Sequence, residues 1–572
     1  MENSIASLHA AESEEIKPYK IHVSSKYLDL TKKKLELTRL PHEILLPRER
    51  EWEQGTPKCE IEPLVDFWLE HYTWRQRETH LNNTVPQYRT ALSLPTTPSS
   101  PPLRIHFLHI KSPHKHALPL LLIPTFPLTN LSLTPLFTPL TSPTSPTSTQ
   151  PFTLIVPSLP GLGFSDSFSS SKTSSSSLEN TAALCDALMK RLGYSYYLAS
   201  ATGSGVDSPA GIDYHLLRIL GERYRESCLG VHVVEPCVKA PTLKEQPAAW
   251  MRFAVAKFFH AKMFGYEEAD FLALRAEEGR LREQRENSDS KFGSRQRYSR
   301  TVADEESPLL QAGRRTGQKR SGPGHRAIGI LGLREPNTFA YALCDSPVGL
   351  LSLVLSALRR RSPNHMLTHT EIIDVTQLAW LPGPEAGARF WAVALEEVEG
   401  WEKGSLDCDA EDDDPEAVDG KRNAERKQAG RKRKSKSNVA MTVFSSDSCD
   451  GPSYICPAWA APHHTVLFSQ RVAGRPGIAV WERVDVLVEG IRGLAREVER
   501  VDPRIRVRPL EEIVVFEEPI IEVDGEESER GRDSVDFSAW GGESEREREG
   551  DGMQLEVESP DTVVAVDMRR DE

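Results

Sequence analysis

Phe152-Thr-Leu-Ile-Val-Pro-Ser-Leu-Pro-Gly-Leu-Gly-Phe-Ser165 and, further on, Tyr194-Ser-Tyr-Tyr-Leu-Ala-Ser-Ala-Thr-Gly-Ser-Gly205 decide the fold of this 572-residue chain. The first stretch reads as a buried strand running into a turn. After a Ser-rich insertion, Leu184 to Leu192 has the spacing of an amphipathic helix. The second stretch reads as a strand, Tyr194 to Ala199, followed by the small residues Ser200 to Gly205. Strand, helix, strand and a tight small-residue turn describe a parallel sheet whose turn carries a reactive side chain at the strand's C-terminal end. Small residues flank such a side chain because Cβ atoms would collide in so sharp a turn. The fold class is therefore α/β.

The run Val156-Pro-Ser-Leu-Pro-Gly-Leu-Gly-Phe-Ser165, with Leu188-Met189 and Leu192-Gly193-Tyr194, resembles the microsomal-type epoxide hydrolases of the α/β-hydrolase fold. The resemblance implies a mostly parallel central sheet, a helical cap and an N-terminal segment that wraps both. It also implies a reaction that needs no cofactor and no metal. In that family an Asp, set in Gly-Gly-Asp-Trp-Gly, attacks the epoxide to form an ester. A His–acid pair then activates water to cleave it, and two lid tyrosines donate to the epoxide oxygen.

Residue by residue, the carry-over is uneven. Thr202 falls at the nucleophile position, with Ser204 as a second candidate. A hydroxyl that opens an epoxide makes an ether, which activated water does not cleave; a carboxylate makes a cleavable ester. Asp447, in Phe444-Ser-Ser-Asp447, fits the relay acid, and an ordinary polar loop Asp reads equally well. The histidine's place, ahead of Ala479-Val-Trp-Glu-Arg483, falls on Gly477, and no histidine follows His464. His463 and His464 precede a strand and so lie at the edge of the sheet opposite the site. Pro124-Thr-Phe-Pro127 stands where relatives have His-Gly-Trp-Pro. Thr125, Phe126 and Gly203 are thus the expected oxyanion and binding positions, although Pro124 has no N–H to give. The lid tyrosine positions fall near Ile328 and Ile330 and at Phe390 and Trp391, whose rings line a pocket but cannot donate a proton.

Domain organisation follows from the resemblance, which implies the N-terminal segment, the core and the cap, and from composition, which marks the tails, loops and insertions. Residues 1–15 form a polar tail, and 16–94 match the family's N-terminal segment, including a helix over Leu64 to Arg77. Residues 95–236 are the first part of the core, with low-complexity loops at 134–151 and 165–177 that read as exposed. Leu103 to Ile110 is a strand in which His106 and His109 read as packing residues. Residues 237–400 make the cap, including an aromatic-rich helix over Ala248 to Phe264 and a charged insertion at 267–326. An acidic-then-basic insertion covers 401–439, the second part of the core 440–502, and an acidic tail 503–572.

A net charge of −13 argues against nucleic acid as a partner, and the eight cysteines are scattered without metal or redox spacing. Leu118 to Ile123, the most apolar run, is far shorter than the ~20 residues of a membrane span. The expectation is a soluble, cytoplasmic protein without membrane insertion; the basic run at 421–436 offers nuclear import as the alternative reading. Its partner would be a small apolar epoxide-like or ester-like ligand, and a homodimer stays open. Three functions fit: an epoxide hydrolase of weak or no activity that keeps pocket and lid for ligand binding, an active epoxide hydrolase, or an acyl hydrolase using Thr202 or Ser204.

Overall fold

The computed structural model describes residues 15–44, 46–94, 101–146, 148–168, 177–205, 208–260, 262–280, 282, 335–363, 365–407, 436–445 and 454–505. Nine strands form one sheet: β1 (Lys17–Pro18), β2 (Gln87–Leu92), β3 (Leu103–Ile110), β4 (Leu118–Ile123), β5 (Phe152–Pro157), β6 (Tyr197–Ser204), β7 (Cys228–Val234), β8 (Ser437–Ser445) and β9 (His464–Ala473). Their order is β1-β2-β3-β5-β4-β6-β7-β8-β9. The pairs β1/β2, β2/β3 and β3/β5 are antiparallel; from β5 onward every pair is parallel. The central strands are apolar runs because helices cover both faces, as in Leu120 to Ile123 and Leu154 to Val156, all fully buried. This is the α/β-hydrolase architecture expected from the sequence.

Three helices press on that sheet: α4 (Ser177–Arg191), α5 (Ile212–Arg223) and α11 (Val484–Val501). The helix α11 comes especially close. A Cβ at Gly490 would lie 2.4 Å from His232 Nε2 and 2.8 Å from Thr442 Oγ1. His232 is fully buried and bridges β6 to β8, with Ser200 Oγ 2.9 Å from Nδ1 and Thr442 Oγ1 2.9 Å from Nε2. Burial lowers its pKa to about 3, so it is a neutral tie across the sheet.

The N-terminal segment carries α1 (Ser25–Glu36), α2 (Lys58–Glu70) and α3 (Trp74–Thr84), and the cap carries α6 (Pro247–Phe259), α7 (Pro336–Asp345), α8 (Pro347–Arg361), α9 (His369–Trp380) and α10 (Pro384–Asp407). The two regions share one apolar cluster, with Leu35, Leu64 and Trp68 packed among Leu351, Leu355 and Ile373. Polar ties reinforce it. Tyr72 OH donates to Asp374 Oδ1 at 2.8 Å, Arg77 pairs with the same carboxylate at 2.6 Å, and Trp380 Nε1 donates to Thr31 Oγ1 at 2.8 Å. No single helix among the described residues is long and apolar enough to cross a membrane. The pair α7 and α8 passes only jointly, across a 112° bend.

Four expectations need correction. The helix over Leu64 to Arg77 is two helices, because Thr73 is extended and Tyr72 turns to reach Asp374. The loop at 134–151 is not all exposed. Asn130–Leu136 and Phe137–Thr141 are short helices that bury Leu133, Leu136 and Leu140, so leucine spacing overrides the Ser/Thr/Pro composition. The aromatic helix stops at Phe259, where His260 takes a left-handed cap, and residues 268–280 form a separate helix. Finally, β6 runs from Tyr197 to Ser204 rather than over Tyr194 to Ala199. Gly193 closes α4, Tyr194 stays in the turn to hydrogen-bond His109 Nε2 at 2.9 Å, and the ladder extends to Ser204 opposite Val234.

The close approach of α11 generates a prediction. Replacing Gly490 by Ala forces the helix off His232 and Thr442, an overpacking cost of about 1–3 kcal/mol. A lower thermal midpoint for Gly490→Ala checks it, and an unchanged midpoint contradicts the packing described here.

Candidate active site

The parallel strands all point their carboxyl ends to one edge, where α/β sheets bind ligands. At that edge the turn after β4, the end of β6, the 476–479 loop and the end of α8 enclose a cavity of about 10 Å³. That is roughly the room one water requires. Thr125, Phe126, Thr202, Gly203, Ser204, Leu358, Arg361 and Gly477 are among its lining residues. Positions far apart in the sequence thus meet in one place: Thr202, Gly203, Thr125, Phe126 and Gly477.

Each hydroxyl on this wall has a definite environment. Thr202 is 1% exposed and its Oγ1 donates to the Ile123 carbonyl at 2.8 Å, tying β6 to the end of β4. Ser204 Oγ donates to Glu235 Oε2 at 2.6 Å, with both residues buried. Glu235 follows β7 directly, at a φ of 43°, and its N–H donates to the Thr442 carbonyl at 2.9 Å. Gly203 lies under Thr125, whose Cγ2 stands 2.4 Å from where a Cβ would be, so this position admits only glycine while Thr125 is there.

The strand β6 extends through Ser204, two residues beyond Thr202. The expected placement of Thr202 in the turn is therefore corrected: it is a strand residue with its proton engaged. Val206 and Asp207 lie outside the described residues, as do Asp447, Ile328 and Ile330.

Gly477, where the resemblance puts the histidine, sits beside Glu482. Gly477 has a φ of 59°, and a Cβ there would fall 2.5 Å from Glu482 Oε1, which accepts the Ile478 N–H at 2.5 Å. No histidine lines the cavity. His464 is buried between Tyr214 OH, at 3.0 Å, and Ser437 Oγ, at 2.8 Å, at the start of β9; His463 hydrogen-bonds Gln246. Among the described residues no group of three or more His, Cys, Asp or Glu is arranged to hold a metal.

The cap supplies Leu358 and Arg361, the latter 5.7 Å from the Phe126 ring centre. Phe390 and Trp391 do not line the cavity. Both are buried behind it, Trp391 edge-on to Phe126 at 5.4 Å, where they set the position of Phe126 instead. Three polar residues here had no signal strong enough to single them out: Asp213, Glu235 and Arg361. The placement of Glu235 one residue past a parallel strand neighbouring β6 was the readable clue.

Asp213 sits in the first turn of α5, fully buried, and accepts from Ser208 Oγ at 3.2 Å. Burial pushes its carboxyl up to about 6 against the opposing influence of Thr125, Ser208 and Arg361. Even so, Thr125 Oγ1 and Asp213 Oδ2 each lack an aligned hydrogen-bond partner among the described residues.

With this geometry in view, the architecture defines the chain as an α/β-hydrolase fold with a helical cap. Solved structures agree: the Aspergillus niger epoxide hydrolase superposes with a TM-score of 0.55 at 19% identity over 85% of this chain and 97% of that one. The juvenile hormone epoxide hydrolase of the silkworm Bombyx mori gives 0.53 at 17%, over 85% and 96%. Within that fold the likeness is to the epoxide hydrolases. Residues 16–133 match the family model "Epoxide hydrolase N terminus". A "Putative epoxide hydrolase" of Stigmatella aurantiaca is 33% identical over 256 residues, 44% of this chain and 53% of its own. "Juvenile hormone epoxide hydrolase 1" of Ctenocephalides felis is 31% identical over 186 residues, 32% and 36% respectively. The chain thus spans from about a third to about half the length of these two relatives.

The Asp213 shift carries a sign. An acid whose folded pKa is raised contributes stability that is full below its unfolded value, 3.8, and is lost as pH rises through about 6. Asp213→Asn removes the ionisation penalty, so its thermal midpoint exceeds the wild type's at pH 8 and converges with it below about pH 4. The difference is on the order of 3 kcal/mol, at 1.36 kcal/mol per pKa unit. A midpoint difference that does not vary with pH contradicts the assignment.

Proposed function

We propose that this protein is an epoxide hydrolase relative that does not convert epoxides to diols and keeps the cap and cavity for a small ligand. One observation carries the reading. The cavity that gathers the nucleophile and histidine positions presents Thr202, Gly203, Ser204 and Gly477, with no imidazole among its lining residues. The Thr202 hydroxyl is already spent on the Ile123 carbonyl. An ether formed by either hydroxyl would be a dead end, because activated water cleaves an ester but not an ether. The residue chemistry supports ligand retention over epoxide opening. The ligand class we propose is a small, largely apolar molecule with one polar atom; the cavity is water-sized as it stands, so such a ligand requires Leu358 and Arg361 of the cap to draw back.

The expected result with styrene oxide or stilbene oxide is diol no faster than in buffer. Diol formation by the purified protein overturns the reading, and its loss in Asp207→Asn would then place a carboxylate nucleophile in the turn beyond β6. A Thr202→Asp, Gly477→His double variant is expected to stay inactive as well, because a side chain at 477 displaces the Glu482 carboxylate from the Ile478 N–H.

A further inference from the structure

We propose that Ser204 and Glu235 form a nucleophile–base pair for acyl transfer, acting on carboxylic esters with a small acyl group. The Ser204 hydroxyl already donates to Glu235 Oε2 at 2.6 Å, and Ser204 lines the cavity while Glu235 backs it. A weak oxygen nucleophile becomes effective when an adjacent base takes its proton, and a carboxylate in hydrogen-bond reach meets that geometric requirement.

Glu235 is held there at a cost. A non-glycine residue at a φ of 43° occupies a sparsely populated region, and such residues persist where surroundings over-determine them, often at functional sites. Its N–H bond to the Thr442 carbonyl fixes the backbone, and Ser204 fixes the carboxylate. The same wall offers a donor for developing negative charge. Thr125 Oγ1, beside Gly203, is a buried hydroxyl without an aligned partner among the described residues, and Arg361 adds a positive charge from the cap. Donors aimed where charge develops, in a site that excludes water, give large transition-state stabilisation.

The steps balance with water as the only co-reactant. Ser204 Oγ attacks the ester carbonyl carbon as its proton passes to Glu235. The tetrahedral intermediate collapses, the C–O bond to the alcohol breaks, and the alcohol leaves with the proton from Glu235. Water then attacks the acyl-serine, giving a proton to Glu235. Collapse releases the carboxylic acid, and the proton returns to Ser204. At about 10 Å³ the cavity is water-sized as it stands, so an acyl group requires the cap residues Leu358 and Arg361 to draw back from Ser204.

Purified full-length protein is treated with a small fluorophosphonate, and the modified residue is identified by peptide mass spectrometry; p-nitrophenyl acetate turnover is followed in parallel. The expected results are a phosphonyl adduct on Ser204 and turnover that both vanish in Ser204→Ala. Glu235→Gln, which keeps an acceptor oxygen, is expected to lower turnover by about 10²–10⁴-fold. No adduct on Ser204 in the wild type, or turnover undiminished in Ser204→Ala, overturns the pair. Turnover that persists in a folded Glu235→Gln overturns the role of Glu235. Should Glu235→Gln not fold, the wild-type adduct and Ser204→Ala decide alone. Diol assays and acyl assays read separate chemistries, so failure of one leaves the other standing.

Discussion

Parallel pairing of β4, β6, β7 and β8 is the constraint that organises everything else in this molecule. Parallel neighbours cannot be joined by tight turns, so every connection crosses over as a helix or a longer excursion and returns to the same starting edge. All carboxyl ends therefore crowd one side, and the turns there are brought together without having been near in sequence. Thr125 after β4, Ser204 at the end of β6 and Glu235 after β7 meet for that reason alone. The hydrogen bond from Thr202 to the Ile123 carbonyl sharpens the alignment, because it locks the last residues of β6 against those of β4.

The cap is held to this sheet by more than its own packing. Asp374 on α9 binds both Tyr72 and Arg77 of the N-terminal segment, and burial raises its pKa despite the Tyr72 and Arg77 partners that oppose the shift. A partly buried carboxylate satisfied by two donors fixes geometry more than it adds net stability. The consequence is that α8, which carries Leu358 and Arg361 over the cavity, is positioned from both sides: by the N-terminal helices behind it and by the sheet edge below.

Much of the fold was legible because its signals are local. The strand Leu103 to Ile110 is read from its alternation, and its observed bounds match that reading residue for residue. The end of β6 was not legible. Ser, Ala and Gly carry weak strand preference, and what keeps Thr202 and Ser204 in the ladder is tertiary: partners on β4 and beyond β7 that no window of sequence contains. The same holds at 134–141, where buried leucines win against a composition that favours loops. Of the site, the meeting of Thr125, Thr202 and Gly477 followed from motif order. The roles of Glu235, Asp213 and Arg361 did not, since a buried charge is recognisable only by what surrounds it.

A nucleophile and its base are a matched set, and the cavity wall is coherent when read that way. A carboxylate nucleophile leaves an ester whose cleavage requires a separate base for water, which is why an imidazole and a carboxylate nucleophile belong together. Here the Glu482 carboxylate occupies the space a side chain at 477 would enter and holds the Ile478 N–H. A hydroxyl nucleophile has a different need: a base in direct contact, able to take its proton and return it. Ser204 has that contact in Glu235, whereas Thr202 has its proton directed to a carbonyl that cannot accept it fully. The contact of Ser204 with Glu235, the residue after the neighbouring strand, is thus the feature of this wall that the proposed acyl transfer depends on.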